Sequence, residues 1–352
     1  IAFWACAVGG YIAVFIDPKR NSVQGKMDCN IIKCTNSPFY ITDYEEGNEE
    51  IREAVNDRNL VIKDWLIYES AYEESMQVEE VDAEETICIQ FSSGSTGIPK
   101  GAVISHKNLY QSIVDSIELM EITQEDRFLS WQMVTHCYGL VIFHLVPLVS
   151  GSSQYFMSTD NYMRQPFLWI SYASKYQITR LGTIPFALKL FYESIINSKT
   201  NQCWDLQNVK SVIIGAEPIS LDVCRNTIEA LKKFGLHENV MCPAYGISEA
   251  TAMVSFVPVN EEMHGVNVNL GVIEIGQKAE ILSNDSGGQS YVELGKLMPS
   301  LEARIVDEEG YILEDKTIGK IQLKGDIISN GYYQNEDATK AVFLAGGWLD
   351  IY

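Results

Sequence analysis

From Ile87 to Ile104 the apolar positions fall in period two on either side of a stretch that is almost free of them. Ile87, Ile89 and Phe91 read as one strand, and Ala102-Val103-Ile104 as a second. The period then lengthens. Leu109, Ile113, Ile117 and Met120 recur near 3.6, which predicts an amphipathic helix from about Lys107 to Met120. Further on, strand-like runs at Phe128 to Met133, Arg180 to Pro185, Val209 to Ile214 and Val240 to Cys242 alternate with helical ones. The helices are predicted at Leu140 to Val149 (apolar on nearly all sides, ending at Gly151), Pro166 to Tyr176, Phe186 to Asn197 and Leu221 to Phe234. Strands alternating with helices predict βαβ units and a largely parallel sheet.

The first sixteen residues, IAFWACAVGGYIAVFI, are uncharged and read as a buried helix running into a buried strand that ends at Asp17-Pro18. They are too short for a membrane span and lack the basic start of a signal peptide. With no initiator Met, and a start inside a hydrophobic element, the sequence reads as a piece of a longer protein. Short apolar runs at Ile31-Ile32, Phe39-Tyr40-Ile41 and Leu60-Val61-Ile62 flank an acidic helix near Glu49 to Val55, again in a βαβ rhythm. From Phe256 onward strands shorten and turns crowd in. Alternation at Ala303 to Val306 and Lys320 to Lys324 predicts a small antiparallel or barrel-like subdomain.

Composition adds limits to this pattern. The 352 residues are 46% hydrophobic, enough for a large core, and the formal charge of -21 disfavours nucleic acid and anionic membranes as partners. Most of the acid sits in runs, such as Glu73-Glu74 through Glu85, that read as solvated connections. Eight cysteines show no Cys-x-x-Cys or zinc spacing, so a reducing cytoplasm is expected.

The chemistry concentrates in the gap between the first two strands: Ser92-Ser93-Gly94-Ser95-Thr96-Gly97-Ile98, then Pro99-Lys100-Gly101. Glycines let backbone N–H groups approach, hydroxyls donate to non-bridging oxygens and the lysine supplies a cation, as a loop around a polyphosphate requires. The alternative is a surface Gly/Ser turn. The loop is not the mononucleotide-kinase P-loop, because Lys100 is followed by Gly101 and a strand rather than by Ser/Thr and a helix. A second site is Tyr245-Gly246-Ile247-Ser248-Glu249, at the C-terminal end of a predicted strand, where open α/β sheets hold ligands. A tyrosine there can stack on a purine, and Glu249 is a hard oxygen donor suited to Mg²⁺. Gly215-Ala216-Glu217-Pro218 is a strand-to-helix turn, and His136-Cys137-Tyr138-Gly139 is another turn with side chains able to face a ligand.

Taken together, these stretches resemble the adenylate-forming superfamily of acyl-CoA synthetases, luciferases and nonribosomal peptide adenylation domains, and most of all the fatty acyl-AMP ligases. The resemblance covers nearly the whole chain, but only the large N-terminal domain of that family. It implies an α/β fold with two mixed or parallel sheets, flanking helices and a small distorted β-barrel subdomain. The expected division is sheet subdomains over 1–255 and a mainly β part over 256–352, with an insert over 257–288 that restrains a mobile C-terminal domain not represented here. The reaction implied is attack of a carboxylate on the α-phosphate of Mg·ATP, giving acyl-AMP and pyrophosphate, with the acyl group handed to a carrier-protein thiol.

Carried over residue by residue, the resemblance makes Thr96, Lys100 and Glu249 catalytic, with Thr96 and Glu249 also on Mg²⁺. ATP and AMP would be held by Ser92, Ser93, Gly94, Ser95, Thr96, Gly97 and Lys100, by Gly215, Ala216, Glu217 and Pro218 beside adenine, and by Tyr245, Gly246, Ile247 and Ser248. His136, Cys137 and Gly139 would line the acid pocket. Fatty acyl-AMP ligases carry His-Asp-x-Gly here, and this chain has Cys137 at the Asp. No carboxylate lies between Asp126 and Asp160, so the ammonium of an α-amino acid would go unpaired at this turn. An adenylation domain for an aryl or other non-amino acid, a CoA ligase, and an inactive nucleotide-binding module are the alternatives.

Overall fold

The computed structural model describes residues 1–16, 30–35, 39–42, 51, 53, 55, 59–61, 80–92, 99–197, 203–269, 274–282 and 288–351. They fall into two compact units, one of Ile1–His106 with Ser329–Thr339 and one of Lys107–Ile328 with Lys340–Tyr352.

In the first unit, helix α1 (Ala2–Val8) leads into strand β1 (Ala13–Val14). Residues 30–34 form α2, so Ile31 and Ile32, which stand among strand-like runs in the sequence, are buried on a helix. Two adjacent apolar residues carry no period, and helix or strand is decided by their packing partners. Strands β2 (Tyr40–Thr42) and β3 (Asn59–Val61) pair in parallel, with helical residues between them as the βαβ rhythm requires. A small cluster of Ile32, Tyr40, Ile51 and Val55 lies beneath. Strands β4 (Thr86–Ser92) and β5 (Lys100–Ser105) form an antiparallel hairpin, and β1 adds to β4 in parallel. The hairpin register pairs Phe91 with Gly101 and Ser92 with Lys100, so both ends of the Ser/Gly stretch are fixed. Residues 93–98, and with them Ser93, Gly94, Ser95, Thr96 and Gly97, lie outside the described residues.

The second unit is built on a seven-stranded sheet. In chain order its strands are β6 (Arg127–Ser130), β7 (Ser153–Phe156), β8 (Arg180–Thr183), β9 (Ser211–Ile214), β10 (Met241–Gly246), β11 (Met253–Phe256) and β15 (Lys296–Leu297), in the spatial order β15-β11-β10-β9-β8-β6-β7. The five from β7 to β10 are parallel, and β11 and β15 run antiparallel at one edge. Helices α3 (His106–Leu119), α4 (Val146–Ser150), α5 (Thr159–Arg164), α6 (Phe167–Lys175), α7 (Pro185–Asn197) and α8 (Leu221–Lys232) connect them. Strands β8 and β9 are buried at every position, as strands covered on both faces are, the charged Arg180 that opens β8 included. The principal core gathers Leu129, Trp169, Leu181, Phe191, Val212 and Leu231. The short helix α5, capped by the Ser158 hydroxyl accepting from the Asn161 amide, has no counterpart in the sequence pattern.

Beyond β11, strands β12 (Gly265–Val268), β13 (Ile281–Leu282) and β14 (Gln289–Val292) form a three-stranded antiparallel sheet. Strands β16 (Leu301–Val306), β17 (Lys320–Gly325), β18 (Phe343–Leu344) and β19 (Trp348–Ile351) form a four-stranded one, in the order β16-β17-β19-β18. The antiparallel pairing expected at 303–306 and 320–324 is present, with Ala303 opposite Leu323. Among the described residues, however, the strands make an open sheet and no closed barrel. Closure depends on hydrogen bonds between first and last strands, which alternation within each strand does not encode.

Candidate active site

The parallel strands of the second unit end in loops that converge on one pocket. Its lining comes from four segments: His136, Cys137, Tyr138 and Ile142 after β6; Gly215 and Ala216 after β9; Ala244, Tyr245 and Gly246 at the end of β10; and Ala252 and Met253 at the start of β11. The space between them is roughly 380 Å³ and partly open to solvent. Three of the stretches singled out in the sequence thus line one pocket. The position, beyond the carboxyl ends of parallel strands, is where an open α/β sheet leaves a crevice.

Each segment is held in place by local physics. After β6 the chain enters a π-helix, Tyr138–Leu145, which continues directly into α4. The turn predicted at 136–139 is therefore a helix start, with Cys137 as its first flanking residue. A Cβ on Gly139 would sit 2.2 Å from the Met133 carbonyl oxygen, so only glycine lets this entry fold back so tightly. The Tyr138 hydroxyl donates to the Ile213 carbonyl at 2.8 Å and reaches that of Thr183 at 3.4 Å, strapping the π-helix to the ends of β9 and β8. Burial holds this phenol well above its ordinary pKa, so it stays a donor. The Tyr138 amide donates to His136 Nδ1 at 3.1 Å, which leaves the ring proton of the neutral imidazole on Nε2. Cys137 Sγ lies 3.7 Å from the same nitrogen.

At the end of β10, the chain passes to β11 through the 3₁₀ turn Ser248–Ala250. The ladder shifts register between Tyr245 and Gly246, a bulge of the kind that re-aims side chains beside binding sites. A Cβ on Gly246 would lie 2.0 Å from the Ala252 carbonyl oxygen. Thr251 leaves the turn with a positive φ of 63°, and its buried hydroxyl donates to the Ile327 carbonyl at 2.8 Å. Tyr245 is raised above its ordinary pKa, first by burial and then by the Glu249 carboxylate, so negative charge from Glu249 is felt at the pocket wall.

Not every residue singled out faces the pocket. Glu217 is exposed, and its carboxylate accepts from the Phe186 amide at 3.0 Å, at the N-terminus of α7. It satisfies one of that helix's open donors and complements its dipole. Ala216, immediately before it, has φ 71°. Glu217, Pro218, Ile247, Ser248 and Glu249 stand beside the lining residues, in the same two loops. In the first unit, Ser92 Oγ donates to the Lys100 carbonyl at 3.5 Å across the mouth of the hairpin.

A group the sequence did not reveal lies at the other end of the parallel strands. Asp126, fully buried, accepts from Arg180 Nε at 3.2 Å and Nη2 at 3.3 Å, the Thr179 hydroxyl at 2.6 Å, the Thr123 amide at 3.0 Å and Lys210 Nζ at 3.0 Å. Burial alone would raise its pKa, but the hydrogen bonds from Arg180, Thr179 and Thr123 outweigh this and hold the carboxyl far below the usual range. Asp126, Arg180 and Lys210 are far apart in the chain, and an isolated charge at the start of each strand carried no signal of the contact.

Glu249 is half-buried and carries a hard oxygen donor beside an aromatic wall, which fits Mg²⁺ better than a soft or nitrogen-ligated metal. No group of three or more potential His, Cys, Asp or Glu ligands gathers among the described residues, so an ion held here would take its other ligands from hydroxyls, phosphate and water. No helix among the described residues is long and apolar enough to cross a membrane.

Comparison with known proteins agrees with this geometry. The long-chain-fatty-acid–AMP ligase FadD32 of Mycolicibacterium smegmatis is 29% identical over 97% of this chain and 56% of its own length. The 4-hydroxyphenylalkanoate adenylyltransferase of Mycobacterium tuberculosis is 28% identical over 74% of this chain and 42% of its own. Among solved structures, the adenylation domain of a keto acid-selecting nonribosomal peptide synthetase module superposes with TM-score 0.85 and 26% identity, over 99% of this chain and 64% of that one. The fatty acid AMP ligase from Legionella pneumophila shares the fold with TM-score 0.86 at 22% identity, over 99% of this chain and 62% of that one. The chain spans a little over half the length of the FadD32 ligases it is similar to. The profile of the AMP-binding enzymes matches residues 1–333, and the chain belongs to that family.

Proposed function

We propose that the protein activates a carboxylic acid with ATP, forming an acyl-AMP and pyrophosphate, and that the acid is a fatty acid destined for a carrier-protein thiol. The observation that carries this reading is the pocket at the carboxyl ends of β9 and β10, whose described lining is apolar or aromatic and contains no carboxylate. Such a wall stacks against adenine and accepts an alkyl chain, and it leaves the ammonium of an α-amino acid without a partner. Relatives at 28–29% identity named as fatty-acid–AMP ligases support the same acid class.

In this reading, Tyr245 and the Gly215-Ala216 backbone flank the adenine, while His136, Cys137 and Gly139 border the acid. The Ser92–Gly97 hydroxyls and amides, with Lys100, offset phosphate charge, and Thr96 and Glu249 hold Mg²⁺, which would neutralise charge on the departing pyrophosphate. The protein's share is positioning and charge stabilisation; the attacking group is the substrate's own carboxylate. The chain would correspond to the large N-terminal domain of a longer ligase, with residues 257–288 as an insert bearing on its C-terminal domain. The buried Cys224 and Cys242, which form no disulfide, fit a reducing cytoplasm.

A second reading, activation of a keto or aryl acid, is favoured by the structural match to a keto acid-selecting domain and by the same lack of a carboxylate. Incubation with Mg·ATP and a panel of fatty, keto, aryl and amino acids, with mass-spectrometric detection of the adenylate, tests both. Adenylate from fatty acids is expected. Adenylate from keto or aryl acids alone establishes the second reading, and ATP binding without any adenylate refutes both in favour of an inactive nucleotide-binding module.

A further inference from the structure

Lys100 closes the Ser/Gly loop, and in this structure its ammonium already has a seat. Its Nζ lies 5.4 Å from the centroid of the Tyr332 ring, within the range of a cation–π contact. The two residues are distant in sequence and are joined by backbone pairing within the first unit. The Val103 amide donates to the Gly331 carbonyl at 2.9 Å, the Asn330 amide to Val103 at 3.0 Å and the Tyr333 amide to Gly101 at 2.8 Å. Ala102 and Tyr332 stand opposite one another in an antiparallel bridge, so residues 330–333 line the edge of β5 that faces away from β4. Tyr332 is fixed in turn. Its amide donates to Thr339 Oγ1 at 2.9 Å, and that hydroxyl donates to the Asn335 carbonyl at 2.8 Å.

We propose that Tyr332 is a positioning residue for Lys100: its ring confines the ammonium in advance and stays against it when the lysine meets a phosphate of the nucleotide. The inference rests on the reading of Lys100 as a phosphate contact. A free lysine side chain samples many rotamers, and freezing them opposes phosphate binding; confinement by a ring removes part of that cost beforehand. At a half-exposed site the cation–π attraction is modest, and a charge-assisted ammonium–phosphate bond on the side away from the ring adds to it.

Calorimetric titration of the protein with Mg·ATP and with adenosine, in a double-mutant cycle of Lys100→Gln and Tyr332→Leu, tests this. Tyr332→Leu is expected to weaken ATP roughly two- to fivefold, to leave adenosine binding unchanged, and to have no further effect once Lys100 is Gln. Tyr332→Phe and Tyr332→Trp should restore ATP affinity. Should Tyr332→Leu not fold, fluorinated phenylalanines at 332 keep the ring's shape, and ATP affinity should fall as fluorination drains its face of charge. Equal loss for ATP and adenosine, or an undiminished loss in the Lys100→Gln background, would mean that the ring acts only by packing and would overturn the proposal. A Lys100→Gln protein that binds ATP as tightly as the parent refutes the phosphate reading of Lys100 itself, and the proposal with it. Weakening by Lys100→Gln but not by Tyr332→Leu refutes the proposal alone.

Discussion

At the residue scale, the side chains around the pocket divide into those that form its wall and those that hold the wall up. Tyr138 does both. Tyr138→Phe keeps the ring in the pocket but removes the donor to the Ile213 and Thr183 carbonyls. A loss of about 1–2 kcal/mol in chemical denaturation is expected, with weaker nucleotide binding as the π-helix loosens from β9. Glu217 is a support. Glu217→Ala should lower stability by about 1 kcal/mol, the typical worth of a helix cap, whereas Glu217→Gln should retain most of it because the amide oxygen still accepts from Phe186. If Glu217 instead touched the nucleotide, ATP affinity would collapse in both variants while the melting temperature stayed put. Lys100→Ala and Glu249→Gln are expected to lower adenylate formation by at least tenfold with melting curves unchanged, measured by pyrophosphate release.

At the scale of elements, the parallel strands carry a charged girdle at their amino ends. Asp126 has its pKa depressed in the folded state, so it stabilises the fold above the ordinary carboxylate range near pH 4. That stabilisation is lost progressively as pH falls below it, because the unfolded chain then takes up the proton more readily. Stability measured by denaturant from pH 7 to pH 3 should therefore drop in the parent and flatten in Asp126→Asn. The variant should also lose about 3–5 kcal/mol at pH 7, since Arg180 is left buried without its partner. This girdle was illegible in the sequence. Asp126 and Lys210 each precede a strand and Arg180 opens one, and only the sheet order β9-β8-β6 brings them together. The hairpin of β4 and β5 was fully legible, because apolar period two on both sides of a small-residue gap leaves few other folds. The π-helix was half-legible: Leu140 to Val149 is apolar on nearly every side, and such a run fixes burial without fixing which hydrogen-bond spacing it uses. Three of the loops that meet at the pocket could be named from residue type, but their meeting depends on strands that are far apart in the chain.

At the scale of the whole molecule, formal charge and fold pull in different directions. A protein of net charge -21 repels a polyanion at long range, so local donors must do the binding. Screening relieves the repulsion, and ATP association should accordingly speed up between about 20 and 150 mM salt in stopped-flow measurements. A site dominated by exposed lysines would show the reverse trend.

The lengthwise division of the seven-stranded sheet has a consequence for how this sequence can change. Its amino rim is locked by buried charges whose partners must all be replaced together, so single substitutions there are penalised and drift is slow. The carboxyl rim, where the loops 136–139, 215–218 and 245–249 end, is held by local hydrogen bonds and close backbone approaches. A loop on that rim can change while the buried charges at the other end stay as they are. A lineage built on such a sheet can try one ligand after another at one end while inheriting an unaltered fold from the other.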